Sequence, residues 1–174
     1  MKDSRKQVVT LVQIALYAAL FIVLDFISTM IPFLQMPQGG SIGISVIVLI
    51  LASHHLGWKN GLIVVAVALL LMPMTSTIYS VNILDYFFEY VIAFGVYGFS
   101  SVFPTYYVRK LPIHSGIFVT NLIRFLIHWT AGVHFWGLNW EGSFAYNAPY
   151  MIATTLVCAL VVPILIQRLA FKRA

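Results

Sequence analysis

The sequence predicts an all-α, polytopic membrane protein, a single domain over residues 1–174 with six transmembrane helices and both termini in the cytoplasm. Three observations lead there. Hydrophobic residues make up 61% of the chain and charged residues 9%, whereas a soluble domain carries about 25% charged residues. The apolar residues fall into long runs, mean hydropathy is +0.94, and a run of about 20 such residues spans a bilayer. Nine of the ten Lys and Arg residues form four short clusters, namely Lys2, Arg5 and Lys6; Lys59; Arg109 and Lys110; and Arg168, Lys172 and Arg173. Cationic side chains near the ends of spans resist translocation. Six spans laid between those clusters put every cluster on the cytoplasmic side.

The first apolar run predicts a helix from Val8 to Met30, too long for a signal-peptide core and so retained. Two prolines and two glycines in the following segment, Pro32 to Gly40, break the helix and predict an external loop. Helices two and three are expected over Ser41–Ser53 and Lys59–Leu71, both short for a full crossing and so tilted or tucked against neighbours. The fourth is expected over Tyr79–Phe103, the fifth over Ile113–Trp136, and the sixth over Phe144–Ala170 with Pro163 as a kink. No internal repeat of the kind seen in many secondary transporters is visible.

Several functions are excluded at this level. The net charge of +5 lies at membrane edges and forms no basic face interleaved with aromatics, so the chain has no nucleic-acid partner. A lone Cys158 in an apolar run makes no intrachain disulfide and packs in the core. No zinc-protease, nucleophile-elbow or phosphate-loop motif is present, so no catalytic residue and no ATP-driven step is assigned to this chain. His54 and His55 precede Gly57 at a cytoplasmic turn and read as solvated, and no ligand cluster supports a metal site or a cofactor.

Ionisable groups inside a span cost about 2.5–3.5 kcal/mol each on insertion scales and point to function. On the fourth helix Asp85 and Glu89 share a face, with Tyr86 and Tyr90 beside them at the same spacing. On the fifth, Arg124, His128, Gly132 and Trp136 form one stripe. At a rise of about 1.5 Å per residue, Glu89 and His128 lie about 15 and about 13 Å below the outer ends of their helices, and so at one depth. A carboxylate, an imidazole and aromatic rings (Trp136, Tyr90, Tyr86, Trp129) then form an outward-facing pocket for a flat, aromatic, cationic ligand. A structural Glu89–Arg124 ion pair is the plainer alternative. Asp25 and Asp85 are expected near the outer interface, hydrated and structural.

These residues carry a resemblance. The run Met36-Pro37-Gln38-Gly39-Gly40-Ser41-Ile42, then Phe88-Glu89-Tyr90-Val91-Ile92-Ala93-Phe94-Gly95, resembles the thiamine-specific substrate-binding components of energy-coupling factor transporters. His128-Trp129-Thr130-Ala131-Gly132-Val133-His134-Phe135-Trp136 is similar to the family's His-x-x-x-Gly-x-x-Phe-Trp/Phe pattern, and Tyr146-Asn147 to the Tyr-Asn motif opening its last helix. The resemblance implies that Glu89 hydrogen-bonds an aminopyrimidine ring, that Trp136 stacks on it and that His128 lies near the thiazolium. It implies that Asn147 and Tyr90 complete the polar lining, that Gly132 leaves room for the ligand, and that Pro37, Gln38, Gly39 and Gly40 form an external lid. Ala15, Ala18 and Ala19 look like the family's alanine motif, which docks on the transmembrane coupling subunit. Partners implied are thiamine, that coupling subunit and two cytoplasmic ATPases, in a bacterial cell membrane. The connector from Trp136 to Asn147 is shorter than in some members, leaving Tyr146 or Trp140 to supply the missing aromatic, and the first external segment lacks their Trp. Alternatives that remain are a pyridoxine or aminomethylpyrimidine ligand, a proton-coupled carrier relaying through Glu89 and His128, or a purely structural subunit.

Overall fold

Long apolar helices dominate the computed structural model, which describes residues 2–109 and 111–169, apart from the side chains of Lys2, Asp3 and Gln38. Lys110, Ala170, Lys172 and Arg173 lie outside the described residues, as do the side chains of Lys2 and Gln38. Among the described residues five helical stretches are long and apolar enough to cross a membrane: Ser4–Met30, Val46–Met74, Ile83–Val102, Ser115–His134 and Trp140–Leu169. The chain is a mostly helical, multi-pass membrane protein.

Helix α1 (Lys2–Met30) buries one stripe, Ile14, Ala18, Phe21 and Asp25, at three- and four-residue spacing. Its other faces show Leu11, Leu16, Leu20 and Val23, a surface suited to lipid tails. The stripe bears on the docking expectation. Ala15 and Ala19 are exposed, but Ala18 is 1% exposed and points into the bundle, because it lies one residue, and so about 100° round the helix, from Ala19 and shares the phase of Ile14 and Phe21 instead.

Helix α2 (Val46–Leu71) is continuous in its hydrogen bonding except at Gly57, where φ 80° and ψ 161° are open to glycine alone. The chain doubles back there. A Cβ on Gly61 would lie 2.9 Å from the Cα of Ser53, whereas residues eight apart in a straight helix are about 12 Å apart. The two arms, 46–56 and 58–71, therefore lie side by side, and Val46 to Ser53 are all buried at the centre of the fold. Residues 41–45, expected to be helical, instead close the preceding loop: Ser41 bridges to Gln35, and Ile42 N–H donates to Leu34 O at 2.8 Å. His54 and His55 are packed rather than solvated. The His54 ring lies 4.9 Å from that of His114, and His55 Nδ1 is 2.9 Å from the Tyr17 hydroxyl.

The next span begins at α3 (Ile83–Tyr86), four residues later than expected from hydropathy, because Asn82 caps it by accepting from Leu84 N–H and Asp85 N–H at 3.0 Å each. It widens into a π-helical turn over Phe87–Ile92 and continues as α4 (Ala93–Gly98). The all-α expectation is then corrected by an antiparallel hairpin, β1 (Thr105–Val108) with β2 (Leu111–His114). Thr105, Tyr106, Tyr107 and Val108 are β-formers, and Arg109, which follows β1, takes φ 48°. Helix α5 (Ser115–His134) packs against α6 (Trp140–Leu169). The latter starts four residues before Phe144 because the Asn139 side chain accepts from Gly142 N–H at 2.7 Å. Trp136, placed by hydropathy at the end of the fifth helix, lies just beyond α5.

Candidate substrate-binding site

A cavity of about 440 Å³ opens where α1 ends and where α3 and α6 begin. That size suits a small two-ring molecule. Its chemistry centres on Glu89, placed in the middle of the π-helical turn. Such turns concentrate at functional sites, since the extra residue per turn re-aims a side chain. Oε1 of Glu89 lies 3.0 Å from His128 Nδ1, and Oε2 accepts from Trp136 Nε1–H at 3.1 Å. On the far side of the imidazole, Arg124 Nε–H donates to His128 Nε2 at 3.1 Å.

That sequence of contacts fixes the state of the ring. Arginine only donates, so Nε2 of His128 must be the acceptor and Nδ1 must carry the hydrogen that goes to Glu89. His128 is thus a neutral link between a guanidinium and a carboxylate. Arg124 makes no direct ion pair with Glu89 among the described residues; its guanidinium sits 4.2 Å over the Phe94 ring and reaches the Tyr97 hydroxyl at 3.5 Å. Asp85, expected at the outer interface and hydrated, is fully buried, with its Oδ2 accepting from Val81 N–H at 2.8 Å.

The cavity is lined by Glu89, Tyr90, His128, Gly132, Trp136, Asn147 and Tyr146. Two residues placed there from the sequence lie elsewhere. Tyr86 stacks on Tyr90 with ring centres 5.2 Å apart and does not line the cavity. Trp129, one position and hence about 100° round the helix from His128, turns away into a cluster with Phe125, Trp140 and Phe144. Gly132 lines the wall, but a Cβ there would come within 2.2 Å of Ser143 Oγ, so its space is needed first by α6. Asn147 donates to Ser143 O at 2.9 Å and accepts from the Tyr150 hydroxyl, which locks its amide in the wall.

Segment 32–45 folds over one side. The Tyr146 hydroxyl donates to Pro37 O, and Gly40 N–H donates to that same hydroxyl at 3.2 Å; Gly39 and Gly40 line the cavity. Asp25 also lines it, at 9% exposure, accepting from the Ser76 hydroxyl at 2.5 Å and the Ser45 hydroxyl at 3.3 Å. Its carboxylate thus faces the cavity and is buried rather than lying on the open surface. Those partners are 51 and 20 residues away in sequence, so no local pattern announces the contact.

The family model for thiamine transporter proteins (Thia_YuaJ) matches residues 11–172. The chain belongs to that family. Thiamine transporter ThiT of Bacillus subtilis strain 168 is 32% identical over 181 residues, covering 94% of this chain and 93% of its own length. A solved structure of ThiT from Listeria monocytogenes shares the fold, with a TM-score of 0.74, 22% identity, and coverage of 94% of this chain and 96% of that one. The family role is transport rather than catalysis.

Proposed function

We propose that this chain is the thiamine-binding membrane subunit of an energy-coupling factor transporter, taking the vitamin from outside into the cavity around Glu89. The observation that carries the reading is the carboxylate of Glu89, held by His128 and Trp136 in a cavity walled by Tyr90, Asn147 and Tyr146. Each carboxylate oxygen keeps a free lone pair to accept from a ring amine. The indole of Trp136, oriented by its own bond to Glu89, offers a face to the same ring. Family membership supports thiamine as the ring system.

In this reading the chain crosses the membrane six times, the arms of α2 on either side of Gly57 counting separately, and both termini are cytoplasmic. Segment 32–45 is the external lid, held shut by the Tyr146 hydroxyl. Ala15 and Ala19, small and exposed on one face of α1, let a helix of the coupling subunit approach closely, and two ATPases supply the energy. A proton relay through Glu89 and His128 fits poorly, since a second N–H on His128 would face the N–H of Arg124.

Isothermal titration of the purified chain with thiamine, pyridoxine and aminomethylpyrimidine tests the ligand. Tightest binding of thiamine is expected; no binding, or tighter binding of pyridoxine, overturns the assignment. Vesicles holding the chain alone should show no uptake under a pH gradient, and uptake there would favour an autonomous carrier.

A further inference from the structure

We propose that Asp25, and not Glu89, is the counter-charge for the permanent cation of the ligand, while Glu89 serves as hydrogen-bond acceptor for its uncharged ring. The inference rests on the thiamine reading above and deepens it.

The charges around the cavity do not cancel. Asp25 and Glu89 line it as carboxylates, Arg124 lines it as a guanidinium, and His128 is neutral because its Nε2 accepts from Arg124. Asp85 is buried and does not line the cavity, so the balance is drawn over the lining groups alone. Two anions and one cation leave a single negative charge, which a monocation balances.

The two carboxylates are not equivalent. Glu89 is joined to Arg124 through one imidazole by an unbroken run of hydrogen bonds, and its second oxygen takes the N–H of Trp136. The hydrogen-bond partners of Asp25 among the described residues are the neutral hydroxyls of Ser45 and Ser76. Hydroxyl donors satisfy lone pairs without neutralising charge. Arg124 Nη1 lies 3.6 Å from where a Cβ on Gly43 would stand and donates to the Tyr97 hydroxyl at 3.5 Å. Of the two lining carboxylates, the one with no charged or charge-linked hydrogen-bond partner among the described residues is therefore Asp25, on α1. A ligand with an uncharged aminopyrimidine at one end and a charged thiazolium at the other matches both poles in one orientation only.

Asp25→Asn, with calorimetric titration of thiamine and of its uncharged thiophene isostere, 3-deazathiamine, tests the proposal. Wild type should prefer the cation by at least about tenfold, the scale of one carboxylate–cation contact at intermediate dielectric. D25N should weaken thiamine at least about tenfold, leave the isostere within about threefold, and so erase the preference. E89Q should weaken both compounds alike. Equal wild-type affinity for the two compounds overturns the assignment alone, and needs no variant to fold. A D25N protein that keeps the full preference, or loses both compounds equally with an unchanged melting temperature, overturns it too. Binding of neither compound to wild type overturns the thiamine reading and this assignment with it.

Discussion

Glu89→Gln is the sharpest perturbation of the site, because it keeps shape and removes charge. The carboxylate accepts from His128 Nδ1–H at 3.0 Å and from Trp136 Nε1–H at 3.1 Å. A glutamine amide has one oxygen, so one of those donors must face an NH₂ group. In the empty cavity water reaches that donor; when a ligand fills the cavity the donor is sealed, at about 1–3 kcal/mol. The bond from the ligand's ring amine also changes from charge-assisted to neutral, worth about 1 kcal/mol. Together these amount to roughly 2–4 kcal/mol, or roughly 30- to 700-fold in Kd. Titration calorimetry on detergent-solubilised protein, with thermal melting to show that the fold persists, reads the effect. A Gln form whose Kd for thiamine lies within threefold of wild type would refute the role assigned to Glu89.

His128→Phe removes the link while keeping a ring of similar size, leaving Arg124 Nε–H and one oxygen of Glu89 without partners. Loss of about 1–3 kcal/mol in stability for each buried orphan, seen as a lower melting temperature, together with weaker thiamine binding, is expected. Gly57→Ala puts a side chain where φ is 80° and ψ 161°, with nothing within 4 Å to clash, so the cost is backbone strain of about 1–3 kcal/mol in chemical unfolding with no change in Kd. Gly132→Ala brings a Cβ to 2.2 Å from Ser143 Oγ and 3.0 Å from Ser143 Cβ, and should destabilise by about 1–3 kcal/mol. The double variant Gly132→Ala/Ser143→Gly removes both contacts and should recover most of the loss in a double-mutant cycle.

The central contact of the site was legible because it depends on quantities the sequence carries. Rise per residue and opposite helix directions place Glu89 and His128 at one depth, and the structure has them 3.0 Å apart. The four-residue step from Arg124 to His128 likewise becomes a hydrogen bond. Trp129 and Tyr86 were misplaced for a related reason: residue type suggested a pocket lining, while helical phase decides it. The β-hairpin escaped because residues 104–112 fall between the expected fourth and fifth helices as a connector, and a run of four β-formers, Thr105 to Val108, is a far weaker signal than the hydropathy of a span. Two helix starts were missed through reading hydropathy ahead of caps, although Asn82 and Asn139 stand in the sequence as cap residues. Asp25 was beyond reach, since its partners Ser45 and Ser76 come from two other parts of the chain, and no period connects them.

The placement of a neutral imidazole between Arg124 and Glu89 answers a conflict that any cation-binding site in a bilayer faces. A carboxylate alone in a span is costly to bury, and a direct arginine pair would lower that cost. It would also occupy both oxygens in a bidentate clasp, which a ligand amine would have to break. His128 carries the attraction of Arg124 to Glu89 through one N–H, leaving lone pairs on both oxygens free for the ligand. Arg124 itself is held by the faces of Phe94 and Tyr97, groups that stabilise a cation without cancelling it. The site thus offsets part of the charge on Glu89 while leaving oxygen lone pairs open, and in the assignment proposed above Asp25 supplies the negative charge that a cation balances.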